Sequence, residues 1–293
     1  MEYLQFVYAV KDAMEETMCE TMSVAVHTVV KNNGRERVGV TISEDGHNLS
    51  PTIYLEEFYE QYEDGDDVRD VATRILTIYQ EVKIEKKWDV EFLKSYETVR
   101  DKLAYKLIHA KQNELLLKEL PHRMYLDLAK VCYILVDVDA VGTATILVTN
   151  EMLKLWGVDK ETVLKDAEEN AEEMLSATFQ SMSEMIRNMY QGLELPEECE
   201  NMLYVLTNEN NHFGAACMLY EGMLKQFGET LGENFFIIPC SIHEVLIVPE
   251  SVEMEWTKLE EMIQEVNELA VEPEEVLSNV PYYYIRSADR LIL

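Results

Sequence analysis

The apolar residues of this chain change period repeatedly, and that switching constrains the fold more than any other feature. Tyr3, Phe6, Val7, Val10, Ala13 and Met14 share one helical face. From Val24 the period drops to two: Val24, Val26, Thr28 and Val30 alternate, as do Val38, Val40 and Ile42. Asn33-Gly34 lies between these runs, and its tolerance of positive φ suits a tight hairpin turn. Helical spacing returns at Leu55, Phe58, Tyr59 and Tyr62. After Asp64-Gly65 it resumes over Val68–Val82, with Asp67 placed to cap the helix.

The order repeats downstream. Leu128–Val138 and Gly142–Val148 form a second hairpin around Asp139-Ala140-Val141-Gly142. A short helix capped by Thr149 runs to Trp156 and is ended by Gly157. Asp159 caps a long helix carrying Val163, Leu164, Ala167 and Ala171. The two passages, about Val24–Val82 and Leu128–Leu175, share little residue identity but read as a duplicated hairpin–helix–helix unit. Between them, Leu103–His109 reads as a strand and Asn113–Leu120 as a helix stopped by Pro121.

The last third predicts strands at Leu203–Thr207, Ala215–Leu219, Asn234–Ile238, Val245–Val248 and Tyr282–Arg286, the last pairing with Leu291–Leu293. It predicts helices at Tyr220–Leu231 and Val252–Leu269, and a helix followed by a loop over Ser176–Asn201. Hairpins broken by helices give an α+β fold, antiparallel hairpins alternating with amphipathic helices, rather than a doubly wound parallel sheet. Polarity rises between Glu85 and Val99. The chain therefore reads as an N-terminal lobe, 1–88, and a C-terminal lobe, 89–293, or as one continuous domain.

Charge narrows the function classes. There are 56 acidic and 25 basic residues, for a formal net charge of −31. Nucleic-acid binders draw most of their affinity from Lys and Arg on phosphates. The densest basic spot here, Lys83, Lys86 and Lys87, is interrupted by Glu85. Direct nucleic-acid binding and docking on an anionic membrane are therefore disfavoured. The longest uncharged run, Ala140–Asn150, is about half a membrane span, and no secretory signal opens the chain. Five cysteines, none spaced C-x-x-C, fit neither a disulfide framework nor a zinc ribbon, so the expected compartment is the reducing cytoplasm.

The acid is concentrated. Glu56–Asp70 holds eight acids, Asp159–Glu173 seven and Glu250–Glu275 ten, each over the polar face of a predicted helix. The plain reading is a solvated, solubilising face. The functional reading is a docking surface for a basic protein partner, with Glu56, Glu57, Glu60, Glu168, Glu169, Glu172, Glu260, Glu261 and Glu265 as its contact residues.

The most reactive-looking string is Pro239-Cys240-Ser241-Ile242-His243-Glu244. Cys240 or Ser241 beside His243 suggests acyl transfer. In an extended strand, however, Cys240 and His243 face opposite sides, and Ser241 lies too far along the strand for a direct bond. A hairpin turn whose polar groups bond to backbone outweighs the nucleophilic reading. His212 would approach His243 if the two hairpins are neighbours, and with Glu209 or Glu244 would make a metal set, though nothing in the spacing requires it. His27 and His109 fall in predicted strands and read as structural. No Gly-rich phosphate loop follows a strand, so no cofactor and no metal are expected. Tyr282-Tyr283-Tyr284 reads as a strand with one ring in the core and the next at its edge.

Four strings, LAYKLIHAKQNELLLKELPHRMYLDLAKVCYILV, ATILVTNEMLKLWGV, MLYVLTNENNHFGAACMLYEGMLKQF and FFIIPCSIHEVLIVPE, resemble as a set a bacterial family of unknown function found in anaerobic gut Firmicutes, often beside mobile elements. The resemblance runs from the first helix to the Tyr282 strand. It brings no activity, cofactor or catalytic residue. Members tend to carry Ser where this chain has Cys240, which weakens Cys240 as a nucleophile. The mobile-element setting favours an anti-defence or DNA-mimic role. Two functions from different classes therefore stand: a non-enzymatic acidic interaction protein, or a hydrolase using Ser241 or Cys240 with His243.

Overall fold

Helix and strand periods separate cleanly in the first of two compact units, Met1–Phe92 with Asp137–Ala144. The structure, a computed structural model, describes residues 1–45, 50–83, 90–138, 142–190, 196 and 202–293. Helix α1 (Tyr3–Thr17) leads into the hairpin β1 (Met22–Val30) and β2 (Glu36–Glu44). Then come β3 (Thr52–Tyr54), α2 (Glu56–Glu63) and α3 (Val68–Val82). The strands form one antiparallel sheet, β1-β2-β3, with Val26 opposite Val40. The hairpin loop carries Asn33 at φ 60°, the conformation its Asn-Gly pair favours. One core joins Phe6, Val10 and Met14 of α1 to Ile75 and Tyr79 of α3 and to Val40 and Ile42 of β2. Burying each such side chain contributes about 1.5–3 kcal/mol.

The second unit, Leu93–Val136 with Thr145–Leu293, holds two antiparallel sheets. The first strands and helices are α4 (Tyr96–Val99), β4 (Leu103–His109), α5 (Glu114–Leu117), β5 (His122–Tyr125), β6 (Leu128–Val138) and β7 (Gly142–Leu147). Strand β6 is paired by β4, β5 and β7. After α6 (Asn150–Trp156) and α7 (Lys160–Met174) come β8 (Ala177–Ser181), α8 (Met182–Met189) and β9 (Tyr204–Asn208). The chain closes with α9 (Met223–Leu231), β10 (Phe235–Ile238), β11 (Val245–Pro249), α10 (Trp256–Leu269), β12 (Tyr282–Ile285) and β13 (Arg290–Ile292). The second sheet has the order β13-β12-β10-β11-β9-β8.

The architecture is α+β, as the changing period implies. The order hairpin, short helix, long helix occurs twice. Asp67 accepts from Arg69 N (2.8 Å), and Asp159 accepts from Thr162 N (2.8 Å), each capping its long helix. Gly157, at φ 68°, ends α6 in the left-handed conformation that glycine adopts without cost. The copies differ around the hairpin: β2 gains the short β3, whereas β6 is flanked by β4 and β5. Residues 139–141 of the second turn, the basic spot beyond Lys83 and the 88/89 boundary lie outside the described residues.

Several local expectations are corrected. Gly214–Leu219 is a 3-10 turn, not a strand. Gly214 through Met218 are all buried, and a short apolar run of that kind suits a buried strand or a buried turn equally well. Ser176 onward forms β8 before the helix α8, because Ala177–Ser181 pairs along β9. The predicted 113–120 helix is a single turn, α5. Helix α10 starts at Trp256, not Val252, because Glu250–Val252 form a 3-10 turn and Glu253 sits at φ 52°. Residues 239–243 are irregular rather than extended, laced to 275–278 by Ile242 N→Glu275 O (2.8 Å) and Ser278 N→Pro239 O (2.9 Å).

Candidate functional site

The loop after β10 does bring His243 beside His212, with ring centroids 5.0 Å apart. Asn208 makes this corner. Its side chain accepts from His212 N (3.2 Å) and donates to His212 O (2.9 Å), folding the turn back on β9. Phe213 follows at φ 56° and stacks near-parallel on His243. A Cβ on Gly214 would overlap Thr207 Oγ1 and lie 2.6 Å from Asn208 N and His243 O, so only glycine fits there.

Both nitrogens of His243 are occupied. Phe213 N–H donates to Nδ1 (3.2 Å), which leaves the proton of the neutral ring on Nε2, facing Glu275 Oε1 at 3.2 Å. Ser241 Oγ instead accepts from the backbone N–H of His243 (3.0 Å). Among the described residues no hydrogen bond joins the His243 ring to Ser241 or Cys240. Burial, reinforced by Glu244, pushes the Cys240 thiol up to about 12, away from the thiolate that attacks. Partial burial, then His243 and Lys106, lower His212 to about 4, so its ring is neutral at pH 7. No three His, Cys, Asp or Glu side chains among the described residues converge to hold a metal ion. His27 meets Thr41 Oγ1 across the β1–β2 hairpin (2.9 Å).

The acidic helices divide into two kinds. On α7 Glu161, Asp166, Glu168 and Glu172 bond to neighbouring elements, while Glu169 and Glu173 are exposed. Asp166 accepts from Tyr96 OH (2.7 Å) and Arg100 Nε (3.0 Å). Glu168 accepts from Lys130 Nζ (2.5 Å) and Arg123 Nη1 (2.8 Å), and Glu161 from Arg123 Nη2 (2.6 Å). The bond from Arg123 holds the Glu161 carboxyl below the usual carboxylate range. Glu172 accepts from Glu221 N (2.7 Å), and Glu169 lies 3.4 Å from Lys165. On α2, Glu56 accepts from Val38 N (2.7 Å) and Tyr3 OH (3.0 Å), while Glu57 and Glu60 face outward.

Helix α10 is different. Glu261, Glu265 and Glu268 are exposed and have no ion-pair partner among the described residues. Glu260 accepts from Trp256 Nε1 (2.9 Å), and the Trp256 ring is exposed at the head of the helix, as Leu269 is at its foot.

A site with no sequence signature lies where β5 turns into β6. Leu126 takes φ 54°, rare for a bulky side chain, and Asp127 follows it. Tyr282 OH donates to Asp127 Oδ1 and Ser278 Oγ to Oδ2, both at 2.6 Å, from residues 155 and 151 positions away. Burial and this carboxylate push the Tyr282 phenol well above its ordinary range, so it remains a donor. His109 Nδ1 accepts from Gln112 N (3.2 Å), and its Nε2 lies 3.8 Å from Asp127 Oδ2. These groups open on a cavity of about 710 Å³ walled by Ala110, Leu117, Met124 and Val280, with His122 beside them and Lys111, Glu114 and Lys118 at the rim. His109 thus ends a strand but also faces a cavity. Only distant chain segments assemble the Asp127 cluster, so no local motif marks it.

No helix among the described residues is long and apolar enough to cross a membrane. No curated protein and no solved structure matches the chain. The model of a family of unknown function, DUF5688, matches residues 3–286, and the chain belongs to that family.

Proposed function

We propose that this protein is a non-enzymatic interaction protein whose α10 face docks a basic protein partner of the DNA-binding class, in the reducing cytoplasm of a bacterium. The observation that carries this reading is the contrast between helices: α7 ties Asp166, Glu161 and Glu168 to Arg100, Arg123 and Lys130, whereas Glu261, Glu265 and Glu268 of α10 meet no cation among the described residues. Exposed carboxylates steer a cationic partner and are screened by salt. Trp256 adds the aromatic anchor that interfaces favour. Glu57 and Glu60 on α2 are further outward acids of the same kind. The free thiols Cys19, Cys132, Cys217 and Cys240 suit a reducing compartment.

The test is retention of basic DNA-binding proteins from a bacterial lysate on the immobilised chain. The reading expects retention at low salt, release at high salt and release by duplex DNA, which competes for the same cationic groove. Retention indifferent to both salt and DNA would overturn it. The hydrolase reading would need Ser241 or Cys240 to reach a free nitrogen of His243, and both ring nitrogens are engaged elsewhere.

A further inference from the structure

We infer that the cavity beside Asp127 binds a small apolar molecule carrying one protonated amine. Its volume, about 710 Å³, lies in the range of small-molecule sites. The wall is apolar, formed by Ala110, Leu117, Met124 and Val280; of its two carboxylates, Glu114 is exposed at the rim and Asp127 is held in place from below. Asp127 is held by two short bonds from hydroxyls that are themselves buried, Ser278 and Tyr282. Those donors orient the carboxylate without neutralising it. A carboxylate has about four acceptor positions, and two are used. Among the described residues no Lys or Arg pairs with Asp127, and His109 Nε2 is 3.8 Å away, beyond hydrogen-bond reach. A partly buried carboxylate with no Lys or Arg and no cation in hydrogen-bond reach is an incomplete pair, and an ammonium group completes it.

The rim sets the rest of the ligand. Lys111 and Lys118 flank the opening and have no salt-bridge partner among the described residues. With Glu114 between them the mouth carries two cations against one carboxylate and stays net cationic, which disfavours a second ammonium there, so the site favours a monoamine with an apolar tail over a polyamine. That preference runs opposite to the generic attraction of a chain of net charge −31, which would favour the polycation.

Hexylamine, hexanoate and spermidine are titrated separately into the full chain, followed by amide NMR shifts at Ala110, Asp127 and Val280. The inference expects saturable shifts with hexylamine, weaker binding of spermidine at these amides, and none of hexanoate. Asp127→Asn should weaken hexylamine binding about tenfold or more. Because an amide would oppose one hydroxyl donor, Asp127→Asn is paired with Met124→Trp, which narrows the cavity from an exposed wall residue without touching the Asp127 cluster and should also weaken hexylamine binding. Failure of hexylamine to bind, equal or tighter binding of hexanoate or spermidine, or hexylamine affinity unchanged in both folded variants would each overturn the inference.

Discussion

Helices α7 and α10 look alike in sequence and differ in what their carboxylates meet. Both are long, amphipathic and rich in glutamate. Helix α7 packs across β4, so its acids meet Arg100, Arg123 and Lys130, cations on neighbouring elements. Helix α10 packs its apolar side, Leu259 and Ile263, against the core around Ile238 and Val248, and its Glu261, Glu265 and Glu268 meet no such cations among the described residues. Carboxylate density therefore does not separate a structural face from a free one. The position of the basic residues does, and those lie far away in the chain.

The largest expected effect falls on the α7 side. Lys130 is nearly buried, 4.3 Å from the Tyr105 ring, and bonded to Glu168. Lys130→Ala removes one partner of this pair and should cost about 2–4 kcal/mol after discounting for the partial exposure of Glu168, read by urea unfolding. A loss below about 0.5 kcal/mol would erase the distinction between the helices. Next comes the stability profile below neutrality. His212 has its pKa lowered from 6.5 to about 4, so the unfolded chain binds more protons between those values. Stability should fall as pH drops from about 6.5 to about 4, and His212→Asn should flatten that slope. Glu161→Gln should leave the upper part of that slope, above about pH 5.5, unchanged, because the Glu161 pKa is lowered from 4.5 and its contribution is lost only as pH falls past that value. If Glu161→Gln flattens it instead, the α7 ion pairs rather than His212 control this window.

The smallest effect is on α10. Glu261 and Glu265 stand one turn apart, a like-charge pair that disfavours its helix by about 0.2–0.5 kcal/mol. Glu265→Lys should therefore be neutral or slightly stabilising, more so at low salt, by thermal unfolding. Clear destabilisation would reveal an inward role for α10 like that of α7.

How much of this was legible in sequence follows from how local each cause is. Helices α1 and α3 and the β1–β2 hairpin were readable, because Phe6, Val10, Ile75 and alternating Val24, Val26, Val38 and Val40 report their burial within a few residues. Asp67 and Asp159 were readable as caps for the same reason. The strand β8 was not, since Ala177–Ser181 becomes a strand only by pairing with β9. Nor was the 214–219 turn, whose small apolar residues fit either state. The approach of His212 to His243 could be anticipated from the two hairpins, but the occupation of both His243 nitrogens by Phe213 and Glu275 could not. The outward and inward acids could not be sorted either, since Glu168 depends on Lys130 and Arg123. The Asp127 cluster joins residues more than 150 positions apart.

The most direct test compares two double variants of equal charge change, Glu261→Lys with Glu265→Lys on α10 and Glu169→Lys with Glu173→Lys on α7, for retention of basic DNA-binding proteins at low salt. Loss of retention in the α10 variant, with the α7 variant close to the parent chain, is the predicted result. Equal loss in both would mean that total charge, and not the α10 face, attracts the partner.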